Sequence, residues 1–85
     1  MRLFFTPKFL KMVSSLPQDL QAEVYEKTDL SRDPANHKTL KAHKLKGPLK
    51  GLSSFSVTYK TRIVFEMVKD GATLHAVGDQ DVYRD

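Results

Sequence analysis

The stretch "GLSSFSVTYKTRIVFEMVKDGATLHAV", residues 51–77, decides the fold, because along it the apolar residues recur with a period of two. Phe55, Val57 and Tyr59 alternate with Ser56, Thr58 and Lys60, and then Ile63, Phe65 and Met67 alternate with Arg62, Val64 and Glu66. That is the signature of strands that lay one face on a core. Asp70-Gly71 is a hairpin signal and "ATLHAV" the returning strand, so this half is expected to be a three-strand meander. Alternation turns Ile63, Phe65 and Met67 inward and Arg62 outward, on the side of Val64 and Glu66.

Upstream, the period is helical. "RLFFT" reads as a short first strand, and Thr6-Pro7 as an N-cap followed by proline at the first helical position. Phe9, Met12, Val13 and Leu16 form one apolar face, and Pro17 opens a second helix over "PQDLQAEVYEKTDL" that ends before Asp33-Pro34. Its apolar face is less regular: Leu20 and Val24 align, while Tyr25 and Leu30 lie to either side. Residues 34–52 are a basic connector punctuated by Gly47, Pro48 and Gly51. The order β-α-α-β-β-β implies an α+β fold: an N-terminal strand and a helical hairpin packed on one face of a small, mainly antiparallel sheet, its other face partly open.

Eighty-five residues suffice for a single domain, residues 1–85, that buries roughly 60–70% of its unfolded surface. No apolar run approaches the roughly 20 residues of a membrane span. The N-terminal "MRLFFTPKFLKMV" is interrupted by Pro7, Lys8 and Lys11 too early for a secretory leader, so cytoplasmic residence is expected. Without cysteine the chain has no disulfide, thiolate nucleophile or thiolate metal site, and no Asp/Glu/His spacing argues for a metal.

The net charge of +4 is unevenly spread. From His37 to Arg62 the chain carries Lys38, Lys41, Lys44, Lys46, Lys50, Lys60 and Arg62 and no carboxylate, whereas Asp19, Glu23, Glu26, Asp29 and Asp33 crowd the second helix and its end. Such polarity steers a phosphate polymer to one side of the molecule. Lys, Arg, His and Tyr converging on an open sheet face are the groups that phosphodiester chemistry without a metal uses. Cations hold the phosphate and the charge developing on it, and a base and an acid move protons.

"LKGLSSFSVTYKTRIVFEMV" followed by "LHAVGDQDVYR", with the "HKLKGPLKG" connector before them, resembles the RelE/ParE superfamily of toxins from bacterial type II toxin-antitoxin modules. The resemblance spans nearly the whole chain and implies a RelE-like fold. It also implies a ribosome-dependent, metal-independent endoribonuclease that cleaves messenger RNA, without cofactor, and is neutralised by a cognate antitoxin in a hetero-oligomer. Two other roles stay open: a ParE-type inhibitor of gyrase, and an inactive relic that retains antitoxin binding.

Carried over residue by residue, the resemblance gives Arg62 the scissile phosphate and Tyr83 the substrate base, with stacking worth about 1–3 kcal/mol. Lys44 and Lys46 match the phosphate-holding connector, with Lys50 and Lys60 adding positive charge for RNA. His43 matches a histidine found there in some members, and an imidazole's unperturbed pKa near ~6.5 suits proton transfer. Gln80 is a departure, because many relatives place a titratable histidine two residues after the glycine corresponding to Gly78. The proton carrier is left between His43, Lys46, Asp79 and Asp81, and activity attenuated by Gln80 is an expectation.

Overall fold

The computed structural model describes residues 1–79, and its elements follow the expected order with one addition. They are β1 (Arg2–Phe5), α1 (Pro7–Ser14), α2 (Gln18–Ser31), β2 (His43–Lys44), β3 (Ser53–Ser56), β4 (Arg62–Val68) and β5 (Gly71–Gly78). Short 3-10 turns at Pro34–Asn36 and Gly47–Leu49 punctuate the connector. The sheet runs β1-β5-β4-β3-β2, with β1 parallel to β5 and every other pairing antiparallel.

Local chemistry sets the N-terminal elements. Thr6 Oγ1 accepts the Phe9 amide at 3.0 Å, and Pro7 occupies the position where a helix needs no amide donor. Phe9 and Val13 are fully buried, with Met12 and Leu16 beside them. Gln21 then donates its side-chain amide to the Leu16 carbonyl at 2.8 Å, tying α2 to the end of α1. On α2 the Leu20 and Val24 stripe continues through two polar residues, Thr28 and Ser31, both buried. Ser31 satisfies its hydroxyl locally by donating to the Thr28 carbonyl at 2.6 Å, so its burial breaks no hydrogen bond.

Phe9, Val13 and Val24 meet Phe55, Ile63, Phe65, Ala72, Leu74 and Val77 in one core, which defines the helix-covered face of the sheet. Burying such aliphatic and aromatic side chains stabilises a domain by about 1.5–3 kcal/mol apiece. Strand alternation does not hold to the end of β4, however. Ile63, Val64 and Phe65 are all buried, whereas Met67 is 54% exposed and Val68 is also exposed. Met67 therefore does not belong to the core, because the far end of β4 runs past the cover that the helices provide. Val64, expected outward, does point to the other face but is buried there beside Ser54 and Ala76, its partners on β3 and β5.

Three further features depart from the sequence expectation. The connector contributes a fifth strand, β2, whose ladder extends to a Leu45 amide bond on the Leu52 carbonyl at 2.9 Å. Tyr59 is not on a strand. Residues 57–60 form the β3–β4 turn, closed by Val57 and Thr58 amides on the Thr61 carbonyl, and Tyr59 stands 88% exposed at its tip. In β5, the partner of Val64 is Ala76 and that of Phe65 is Leu74, so His75 is the extra residue of a β-bulge. The bulge explains why Leu74 and Val77, three apart, share the core.

Gly71 has a role other than the turn. It is the first residue of β5, paired with Val68 across the hairpin and with Arg2 of β1. A Cβ there would lie 1.7 Å from the Arg2 carbonyl oxygen. Only glycine allows β1 to lie this close.

Candidate functional site

On the sheet face away from the helices, β2 contributes His43, β3 Ser54 and Ser56, and β4 Arg62. His43 sits opposite Ser54, and Arg62 sits opposite Ser56 and, on its other side, Gly78. With strands about 4.8 Å apart and residues about 3.4 Å apart along them, His43 and Arg62 have Cα atoms roughly 12 Å from each other. No hydrogen bond links the two side chains among the described residues, and they mark two points on one face.

Arg62 faces outward as the sequence implied, but it pairs with neither Glu66 nor any other carboxylate among the described residues. Its Nη1 donates to the carbonyls of Thr58 at 2.8 Å, Tyr59 at 3.0 Å and Thr61 at 3.3 Å. The guanidinium thereby closes the β3–β4 turn with one nitrogen. Its Nε–Nη2 edge makes no hydrogen bond among the described residues, and that edge is the planar fork that matches a phosphate. Glu66 instead accepts from His75 Nε2 at 3.1 Å, further along the same face.

The lysines separate from this pair. Lys44 follows His43 on β2 and so points to the opposite face, the side of its partner Ser53 and of Phe65. There Lys44, Lys46 and Lys50 surround a cavity of about 580 Å³ whose apolar lining includes Leu45, Leu52 and Met67. Lys60 lies on the exposed β3–β4 turn next to Arg62. The connector lysines thus lie away from Arg62, while His43, on the sheet edge, lines an open groove together with Lys44, Leu45, Lys46 and Leu49. On α2, by contrast, Glu23 and Glu26 both meet Lys27, and Asp29 meets Arg32. The Glu23 hydrogen bond above all holds the Lys27 ammonium above its ordinary pKa.

Gln80, Asp81 and Tyr83 lie outside the described residues. Asp79, at the end of β5, is the last described residue and follows Gly78, the partner of Arg62. No group of three or more His, Asp or Glu side chains gathers among the described residues. No helix among them is long and apolar enough to cross a membrane. Sequence reasoning missed Tyr59, an exposed aromatic on the turn that Arg62 closes; residues 57–61 contain no glycine, proline or asparagine to signal a turn.

The backbone as a whole matches solved structures closely. The toxin-antitoxin complex RelBE2 from Mycobacterium tuberculosis contains a chain that superposes with a TM-score of 0.73 at 22% identity, covering 92% of this chain and 95% of that one. The YoeB-YefM complex from Staphylococcus aureus gives 0.71 at 17% identity over 100% and 98% of the two chains. YafQ from E. coli strain BL21(DE3) gives 0.71 at 13% identity over 93% and 92%. This chain has the RelE-like toxin fold. No family model and no curated protein matches its sequence.

Proposed function

We propose that this chain is the toxin of a type II toxin-antitoxin module, a metal-independent endoribonuclease that cuts messenger RNA at the ribosome. The observation that carries the reading is that exposed His43 and half-buried Arg62 share one sheet face of a RelE-like fold, a group that moves protons and a cation for phosphate.

In this reading the ribose 2′-hydroxyl attacks the adjacent phosphate in line, leaving a 2′,3′-cyclic phosphate. Arg62 stabilises charge on the phosphoryl oxygens, and preorganised donors of this kind are worth about 3–4 kcal/mol of transition-state stabilisation. Lys46, Lys44, Lys50 and Lys60 raise the local concentration of RNA. Tyr83 orients the base, Asp81 is a proton-handling neighbour, and Gln80, which cannot titrate, slows the reaction. A cytoplasmic protein with this activity needs an antitoxin. An acidic segment with apolar anchors suits the lysine-rimmed cavity beside Met67.

The purified protein added to ribosomes translating a defined message should cut it, and should leave the same message intact without ribosomes. Unchanged plasmid supercoiling by gyrase in a parallel assay would separate this activity from that of a gyrase inhibitor. Intact message with blocked supercoiling would reverse the assignment.

A further inference from the structure

One hydrogen bond orients the His43 imidazole, and a longer contact lies at its other nitrogen. Nδ1 lies 3.1 Å from the Lys41 carbonyl oxygen. A carbonyl can only accept, so Nδ1 carries the ring proton. In the neutral ring Nε2 is then the bare nitrogen, and it lies 3.5 Å from the Ser54 hydroxyl, which donates to it. Ser54 is 0% exposed, and its hydroxyl makes no other hydrogen bond among the described residues. A hydroxyl so buried cannot reach a substrate as a nucleophile. It can hold its partner.

The Lys41 carbonyl is itself held in place. Ala42 N–H donates to the His37 carbonyl at 2.9 Å and Lys41 N–H to the Lys38 carbonyl at 3.0 Å, the paired bonds of a Schellman turn. Lys41 occupies its left-handed position with φ 58°, a place ordinarily taken by glycine. On one side the turn is anchored by buried Leu40, whose carbonyl accepts the Ser56 amide at 2.8 Å, and on the other it runs straight into β2. Base and orienting group are therefore tied to β2 and β3, and β3 pairs with the strand that carries Arg62.

We propose that His43 Nε2 accepts the 2′-hydroxyl proton in strand cleavage, with the Lys41 carbonyl and Ser54 as the positioning groups that keep the ring in its Nδ1–H tautomer. The proposal rests on the endoribonuclease reading and gives its proton a destination. As the O2′–P bond forms and the P–O5′ bond breaks, the 2′-hydroxyl proton passes to Nε2. The departing 5′-oxygen takes a proton from water, and the imidazolium proton neutralises the hydroxide left behind. At 3.5 Å the Ser54 contact is at the long limit for a hydrogen bond, so a substrate hydroxyl displaces it readily.

The test reads the tautomer directly, by nitrogen-15 NMR of His43 in the free, full-length protein at a pH where the ring is neutral, alongside message cleavage on translating ribosomes across pH. The wild type should show the Nδ1–H pattern, and cleavage should have an acid limb that His43→Gln abolishes with a rate loss of roughly 10²- to 10⁴-fold. Lys41→Gly, which keeps the left-handed turn, should retain the Nδ1–H pattern. Lys41→Pro, which cannot adopt φ 58°, should lose it while RNA binding persists. An Nε2–H pattern in the wild type overturns the proposal whatever the enzyme cleaves, and so does a His43→Gln protein that cuts at the wild-type rate. A wild type with the Nδ1–H pattern that cuts nothing overturns the nuclease reading, and with it the assigned role of Nε2.

Discussion

Arg62 Nη1 lies 2.8 Å from the carbonyl oxygen of Thr58, so the residue assigned to the phosphate also closes the turn before its own strand. The two tasks use different edges of one guanidinium. Arg62→Ala should therefore lower stability by about 1–2 kcal/mol, the worth of charge-assisted bonds to carbonyls, visible as a lower urea midpoint. It should also lower cleavage at least about a hundredfold, well beyond what the stability loss produces. Arg62→Lys keeps a charge but not the fork, and should recover RNA binding more than rate.

Close approach of β1 makes Gly71 intolerant. Gly71→Ala places a methyl group against the Arg2 carbonyl, and the parallel β1–β5 pairing has no room to yield without moving the strand. A loss of about 2–3 kcal/mol is expected from overpacking of this kind, measured by thermal or urea unfolding.

Lys41 offers the opposite case. Nothing but its own Cβ disfavours the left-handed turn, so Lys41→Gly should raise stability by about 1 kcal/mol. A lower midpoint would mean that the Lys41 side chain has contacts that outweigh the backbone relief.

The two ends of β4 should respond unequally to truncation. Ile63→Ala removes a fully buried side chain and should cost about 3–4 kcal/mol, whereas Met67→Ala, half in solvent, should cost under about 1 kcal/mol. Equal losses would place Met67 in the core after all. Weaker binding of an acidic amphipathic peptide to Met67→Ala would instead mark the cavity that Met67 lines as a binding surface.

Much of this architecture was legible from the sequence. Thr6-Pro7 and Pro17 carry their helix starts in their own chemistry, and the period of two from Phe55 onward announces a sheet. What escaped depends on relations between segments. The β2 strand is two residues long and exists through its ladder to β3, so no local pattern marks it. The bulge at His75 shifts the core residues from an alternation to a spacing of three, and Tyr59 looks like a strand residue until the turn is seen. For the site, Arg62 was placed on the correct face by alternation alone. The same alternation, applied to β2, separates Lys44 from His43, and that could not be read before the strand was known. The carbonyl that orients His43 is a backbone group at Lys41, and side-chain patterns do not report backbone groups.

Primer extension on a message translated in a purified system, with the wild type, Arg62→Ala and Gln80→His compared at equal concentration, tests the central claim most directly. New 5′ ends should appear with the wild type and be lost with Arg62→Ala. They should form faster with Gln80→His, by up to roughly a hundredfold where a titratable group is restored. The same ends at the same rate from Arg62→Ala, or no ends from any of the three proteins, would contradict the account.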